Sequence, residues 1–338
     1  MTNLSELTTL RVGGPARSIS VATDRGQLIE LATKDQEALI LAGGSNVVVS
    51  DSGFNAQVIL VRTSGVEEVS APGAQQVRVK VAAGVDWSHL VDLTVDKGLS
   101  GLEFLAGIPG SVGATPIQNV GAYGSEVSDV MVDSEVLDRS SGEILNWSKT
   151  NWQFGYRTSR LKVSTQSHAV LSVTFQLTQS KESLPVTYPA LAEHLGVRSG
   201  ERVPLPAARD GVLELRRSRG MVLDENDHDT WSVGSFFVNP VLSQAAAADL
   251  PTLAPRWPTS SGDVKTSAAW LIEHCGFHGG YAFGAAALST KHVLAITNLG
   301  GATCDEVMTL ASLVRDRVKE RTGVYLTPEP RLVNCHLT

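Results

Sequence analysis

The apolar positions of this chain fall in short runs, not long helical stripes. Residues 38–42 are apolar, Gly43-Gly44-Ser45-Asn46 interrupts them, and Val47-Val48-Val49 resumes the run, a pattern that predicts strand, turn, strand after a short helix at 27–32. Residues 58–61, 77–82, 135–137 and 170–177 are further predicted strands, several alternating with period two so that one face lies on a core. Residues 87–97 predict a helix stopped by Gly98. Between 184 and 229 the pattern lapses. Pro185, Pro189, Pro204, Pro206, an arginine cluster at 216–219 and the acidic stretch at 224–227 predict a domain junction or mobile loop there. After Ser235 and a Pro-rich connector come a predicted helix at 267–275, a strand at 293–297 and a helix at 304–320, a second α/β unit without internal repeats. Residues 324–326 and 328–331 read as extended chain that returns to either domain.

Composition bounds the function. With 338 residues, 42% of them apolar, and 31 glycines, the chain can bury a large core in two or three domains of short strands and tight turns. A net charge of −7, with no Lys/Arg run longer than Arg216-Arg217, argues against nucleic acid as a partner, because phosphate neutralisation needs a basic surface. Cys275, Cys304 and Cys335 have no CxxC spacing, so neither a disulfide framework nor a zinc ribbon is expected, and a reducing cytoplasm fits. No basic start leads into an apolar run, and no stretch of about eighteen apolar residues occurs, so neither secretion nor a membrane partner is expected.

Two segments are candidate ligand cradles. Gly43 and Gly44 permit backbone N–H groups to approach an anion without an intervening Cβ, although an ordinary glycine turn reads the same way. No G-x-G-x-x-G opens a helix and no GxxxxGK[ST] is present, which excludes the common dinucleotide and P-loop signatures. From Gly107 to Gly124, seven glycines and prolines hold eighteen residues in a compact path of the kind that lines ligands. Two such loops suit a dinucleotide, one for pyrophosphate and one for rings. Ser235, beside Phe236 and Phe237, is either a positioned proton donor or a strand-end serine; no G-x-S-x-G elbow surrounds it, Ser45 or Ser111. Arg157, Arg160 and Lys162 form a basic stretch suited to a carboxylate or phosphate, or simply a solvated turn. His274 and His278 lie four apart, but Cys275 stands where a metalloprotease helix carries Glu, and no metal is expected.

Six segments in this order, residues 10–16, 42–46, 101–124, 156–157, 234–240 and 328–331, resemble the UDP-N-acetylenolpyruvoylglucosamine reductase (MurB) family over nearly the whole chain. The resemblance implies an α+β fold: an FAD-binding domain of the vanillyl-alcohol-oxidase type in two subdomains, residues 1–65 and 66–215, with 322–338 returning to the latter. A C-terminal α/β substrate-binding domain would span 216–321. It also implies that Arg11, Gly43, Gly44, Ser45, Asn46, Gly107, Ile108, Pro109, Gly110, Ser111, Asn119 and Gly124 hold FAD, and that Tyr188, Arg219 and Asn239 hold the UDP-sugar. Arg157, Ser235 and Glu329 match the catalytic set. Departures are Gly113-Ala114-Thr115 for a more usual Gly-Gly-Ala, Val238 at a place often held by Lys, and Arg219 where many relatives have Lys. Tyr188 and the long segment before Ser235 resemble the branch with an additional substrate-covering loop.

The implied reaction is reduction of UDP-N-acetylglucosamine enolpyruvate to UDP-N-acetylmuramate. NADPH is the reductant, hydride passes from flavin N5 to substrate C3, and a proton passes from Ser235 to C2. Arg157 and a protonated Glu329 would stabilise the charge that hydride addition drives into the carboxylate. A monomer is expected. An FAD oxidase of the same fold, or a nucleotide-sugar binding protein without chemistry, remains the alternative at this stage.

Overall fold

The computed structural model describes residues 2–70, 73, 75–164 and 167–337, and in it the apolar run at 170–177 grows into the twelve-residue strand His168–Gln179. This strand is buried along most of its length because Met131–Asp138 pairs antiparallel on one edge and Gln76–Ala82 on the other. Ile144–Ser148 and Val66–Glu68 extend the sheet outward, and Leu99–Ser100 pairs with the end of the long strand. The helix Trp87–Asp96 starts where the Asp86 carboxylate accepts the His89 N–H at 2.9 Å, and it ends at Gly98, whose φ of 69° continues past the helix at no steric cost. Trp87 is fully buried, its ring meeting Phe175 edge-on at 5.9 Å and its indole N–H donating to the Leu105 carbonyl at 2.9 Å.

Contacts divide the chain into two compact units, each with its own apolar core. The larger comprises Arg17–Gly43 and Asn55–Val222; the smaller comprises Met1–Ala16, Gly44–Phe54 and Leu223–Thr338. In the larger unit the buried guanidinium of Arg139 donates to the carbonyls of Ala32, Asp35 and Ala38 at 3.1, 2.7 and 3.0 Å. It thereby satisfies carbonyls at and beyond the C-terminus of the helix Arg25–Lys34, which has no intrahelical donors left for them.

The stretch from 184 to 229, expected as a domain junction or mobile loop, does contain a boundary between the two units, at Val222 and Leu223, but ahead of it the chain forms two helices, Pro189–Leu195 and Leu205–Ser218. Pro189 and Pro206 occupy first-turn positions of these helices, where no backbone N–H is needed, and Pro204 is the N-cap residue of the second, so three of the four prolines that broke the sequence pattern start helices here. Leu205, Ala208 and Val212 make the buried stripe, and a Cβ on Gly211 would lie 2.7 Å from Leu195 Cδ2, so the two helices depend on that glycine for their approach.

The smaller unit has a four-stranded antiparallel sheet in the order Ser232–Ser235, Ala295–Asn298, Ala286–Leu288, Ala282–Phe283. The helix Cys304–Thr322 buries Val307, Leu310, Ala311, Val314 and Val318 in the same core, and a reciprocal box between Thr303 and Glu306 caps its start. The tail corrects a second expectation. It was to rejoin residues 66–215, but Arg331–Val333 pairs in parallel with Val47–Val49. Those three valines are buried and form a strand too short to stand alone, and the tail supplies its hydrogen-bonding partner. Among the described residues no helix is long and apolar enough to cross a membrane.

Candidate functional site

In the larger unit the two expected cradles meet. A Cβ on Gly43 would sit 3.0 Å from Gly110 Cα, so the two backbones touch where neither has a side chain. The loop after Gly107 is fixed to the chain before the helix at Trp87: Trp87 N–H donates to Gly110 O at 3.1 Å, Val112 N–H to Val85 O at 2.9 Å and Gly113 N–H to Ala83 O at 2.9 Å. Gly113 has no room for a Cβ, which would lie 2.5 Å from that of Ala83. Ile108 and Pro109 lie half-buried between these anchors. Ser111, in contrast, is buried with a hydroxyl that finds no hydrogen-bond partner among the described residues. Such a group calls for a partner beyond these protein atoms, a water or a ligand atom.

Further along, the buried Asn119 ties three segments together. Its amide donates to Gly155 O at 3.3 Å and its oxygen accepts the Ser128 N–H at 3.0 Å. Arg157, held in the left-handed region at φ 55°, donates to Asn119 O at 3.5 Å and to Gly121 O. The basic stretch therefore disperses: Lys162 Nζ donates to Arg157 O at 2.9 Å, Arg160 lies over Trp147 at 4.8 Å, and Arg157 alone turns to the glycine loop. Gly124, at φ 86°, lies beside Thr187, and the Tyr188 ring meets Tyr123 edge-on at 5.3 Å.

Arg216 is the residue that sequence reasoning passed over, having singled out only Arg219 from the cluster at 216–219. Its Nη2 donates to Met221 O at 2.9 Å, while its buried Nε has no partner among the described residues. Burial first, and then the nearby charges of Arg157 and Arg219, lower its pKa to about 10, with Tyr123 acting the other way. Burial likewise pushes the Tyr123 hydroxyl up, opposed by Arg216 and Arg219. Arg157, Arg216, Arg219 and the two tyrosines thus share one electropositive neighbourhood suited to an anion.

In the smaller unit Gly44 is locked by its own backbone. At φ 63° its Cβ would fall 2.0 Å from the Leu7 carbonyl oxygen, and its carbonyl accepts the Thr9 N–H at 3.2 Å. Ser45 and Asn46 follow it, and Asn46 O accepts the Arg331 N–H at 3.0 Å. Arg11, at φ 57°, stacks over Trp231 at 3.8 Å. Ser235 ends its strand opposite Ala295, with its Oγ 3.5 Å from His292 Nε2. The chain next to it pairs with the tail: Glu329 N–H donates to Phe236 O at 2.8 Å, Val238 N–H to Thr327 O at 3.0 Å, and Phe237 bridges Pro328. Ser235 and Glu329, far apart in sequence, are thereby held on adjoining strand segments. Asn239 serves the fold as well, its Oδ1 accepting the Ala268 N–H at 2.9 Å at the start of the helix Ala268–His274. His274 stacks on Trp270 at 4.5 Å, and no group of three metal-binding side chains occurs among the described residues.

The family model described as the FAD binding domain matches residues 24–148, and the one described as UDP-N-acetylenolpyruvoylglucosamine reductase, C-terminal domain, matches 225–333. Curated UDP-N-acetylenolpyruvoylglucosamine reductases of Cutibacterium acnes and Mycolicibacterium gilvum are 46% and 48% identical to the chain. The alignments cover 98% and 99% of it, and 89% and 95% of those proteins. The chain belongs to the UDP-N-acetylenolpyruvoylglucosamine reductase family. The crystal structure of the reductase from Thermus caldophilus superimposes with a TM-score of 0.68 at 25% identity, covering 98% of this chain and 97% of that one. Within this reductase family the FAD-binding match contains the glycine loops, the orphaned Ser111 hydroxyl and Asn119. The family's C-terminal match contains Ser235, Asn239 and Glu329. The residues present fit a flavin nucleotide: side-chain-free backbone at Gly43 and Gly110, and a buried hydroxyl in want of a partner.

Proposed function

We propose that this protein catalyses the NADPH-dependent reduction of UDP-N-acetylglucosamine enolpyruvate to UDP-N-acetylmuramate, a step in peptidoglycan precursor synthesis, with FAD as its cofactor. The observation that carries the assignment of roles is the pairing of the chain beside Ser235 with the tail beside Glu329. It brings a neutral hydroxyl and a carboxyl group onto adjoining segments of one unit, as proton delivery and charge stabilisation at one substrate require. FAD, held by Gly43–Asn46 and Gly107–Ser111, would supply the hydride chemistry, with Asn119 and Gly124 shaping its loop and Arg11 contributing from the N-terminal segment.

The protein's own residues do the remainder. Addition of hydride to C3 sends negative charge into a carboxylate that is already anionic. Arg157 pairs with that carboxylate, its guanidinium oriented by the carbonyls of Asn119 and Gly121. Glu329, as the carboxylic acid, donates a hydrogen bond where the charge develops, and both interactions strengthen on the way to the transition state. Ser235 then gives its proton to C2. Tyr188, Arg219 and Asn239 hold the UDP-sugar, with Arg216 adding to the positive field around the first two. A cytoplasmic location goes with this reading, and the three cysteines are unpaired.

The test is anaerobic stopped-flow absorbance at the flavin band. NADPH should bleach the purified protein, and the enolpyruvyl substrate should restore the colour. Ser235→Ala should leave the bleaching phase near the wild-type rate and slow the recovery by roughly 10²–10⁴-fold, the range of general acid–base catalysis. Equal loss in both phases would remove Ser235 from the proton-donor role.

A further inference from the structure

A serine that gives its proton to carbon is left as an alkoxide unless the proton is replaced as it leaves. The smaller unit holds a group placed to do this. His292 Nε2 lies 3.5 Å from Ser235 Oγ. The turn that carries it is built around the fully buried Ser289, whose hydroxyl accepts the N–H groups of Lys291 and His292, each at 3.1 Å. The His292 carbonyl accepts the Ala295 N–H at 2.9 Å, and Ala295 is the residue paired with Ser235 across the sheet. Leu294 O accepts the Phe236 N–H at 2.7 Å, so the end of the serine's strand and the turn that carries the histidine are fixed to each other by backbone bonds.

The acidic loop clamps this turn from its other side. Asp229 accepts the Thr290 N–H at 3.0 Å and the Thr290 hydroxyl at 2.8 Å, and Asp227 pairs with Lys291. The carboxylates nearest the turn are therefore committed to Thr290 and Lys291. His228 on the same loop is engaged elsewhere, its Nδ1 lying 2.7 Å from Leu299 O.

We propose that His292 is the proton relay behind Ser235, an inference that rests on Ser235 being the proton donor. As the Ser235 O–H bond breaks toward substrate C2, the imidazolium Nε2–H bond breaks toward Oγ. The serine ends the step neutral, the histidine ends it as neutral imidazole, and solvent reprotonates the ring before the next turnover. No oxidant or reductant enters; two protons each move one step, and the net change is one proton passed from imidazolium to C2. Asp227 and Asp229, together with Ser289, position the relay by holding its turn.

His292→Gln keeps a polar group near Oγ but cannot pass a proton on. In the holoprotein it is expected to slow substrate-driven flavin reoxidation by about 10²-fold, with the NADPH phase as internal reference. Wild-type reoxidation should fall as pH rises through the histidine's titration, and the variant should lose that limb; Asp227, Asp229, Lys291, His228 and Glu329 are the titratable groups near the turn and pair. Nitrogen NMR of the wild-type holoprotein and of Ser235→Ala gives a readout independent of turnover, in which removal of the hydroxyl should shift the His292 ring signals. Wild-type reoxidation with an unchanged pH profile in His292→Gln, or ring signals indifferent to Ser235→Ala, overturns the relay. Full reoxidation in Ser235→Ala would instead overturn the serine's own role, so the two failures are distinguishable.

Discussion

Ser111 allows the flavin assignment to be tested on the protein without measuring catalysis. Its buried hydroxyl has no partner among the described residues, so in the FAD-free protein Ser111→Ala removes a desolvated polar group and should stabilise the fold by about 1 kcal/mol, the lower end of the cost of a buried unsatisfied group. On the proposed flavin assignment the same hydroxyl would donate to bound FAD, and its loss should cost about 1 kcal/mol, a typical net hydrogen bond. The thermodynamic cycle then fixes the affinity change as the sum of the two, about 2 kcal/mol or ~30-fold weaker FAD binding. Urea unfolding of the stripped protein measures the first leg, and titration of FAD with fluorescence detection measures the closing one. The stripped variant should have a higher midpoint at unchanged slope. A destabilised apoprotein that binds FAD as tightly as wild type would refute the reasoning, because it would place the hydroxyl's partner inside the protein.

Other consequences are equally direct. Gly44→Ala forces a Cβ to within 2.0 Å of the Leu7 carbonyl oxygen at φ 63°, and strain plus displacement should cost about 3 kcal/mol or more, read as a lowered urea midpoint. Arg139→Leu removes the guanidinium donor from the carbonyls of Ala32, Asp35 and Ala38, of which Asp35 keeps the Ala38 N–H at 3.2 Å, and should destabilise by about 3–5 kcal/mol; a loss under about 1 kcal/mol would mean that water replaces it. Asp227 and Lys291 predict a pH dependence. Their mutual hydrogen bond holds the Asp227 carboxyl below its ordinary range, so its contribution is present above the unfolded value and lost as pH falls through the lowered one. The same contact raises Lys291, whose contribution is complete below the unfolded value and lost as pH rises through the raised one. Asp227→Asn should remove both of these arms from a plot of Tm against pH, and persistence of both would show that other groups set them.

Elements whose signals are local were readable in advance. The helix Cys304–Thr322 carries its Thr303 and Glu306 cap in adjacent sequence, and the long strand at 168–179 alternates or is apolar throughout, so both declare themselves within a dozen residues. The helix Leu205–Ser218 was hidden by Pro204 and Pro206, because a proline in the first turn and a proline that breaks a helix look alike until the chain's direction is known. The tail's partner was unreadable for another reason: parallel pairing of Arg331–Val333 with Val47–Val49 has no turn between the strands to announce it. At the site the glycines stood out by residue type and Ser235 and Glu329 only through the family resemblance, whereas Arg216 and His292 are distinguished by burial and by a neighbour distant in sequence, which no local pattern encodes.

The interleaved make-up of the two units bears on how the protein is born. The larger unit has all its residues once position 222 has been synthesised, but the eleven-residue stretch Gly44–Phe54, already made by then, belongs to the other unit. Its buried strand Val47–Val49 must wait for Arg331–Val333, more than a hundred residues beyond position 222. Until those residues are made an apolar strand edge stands unpaired, and contacts of such long sequence separation form slowly. A chain interrupted before Arg331 would therefore be compromised near its beginning as well as at the break.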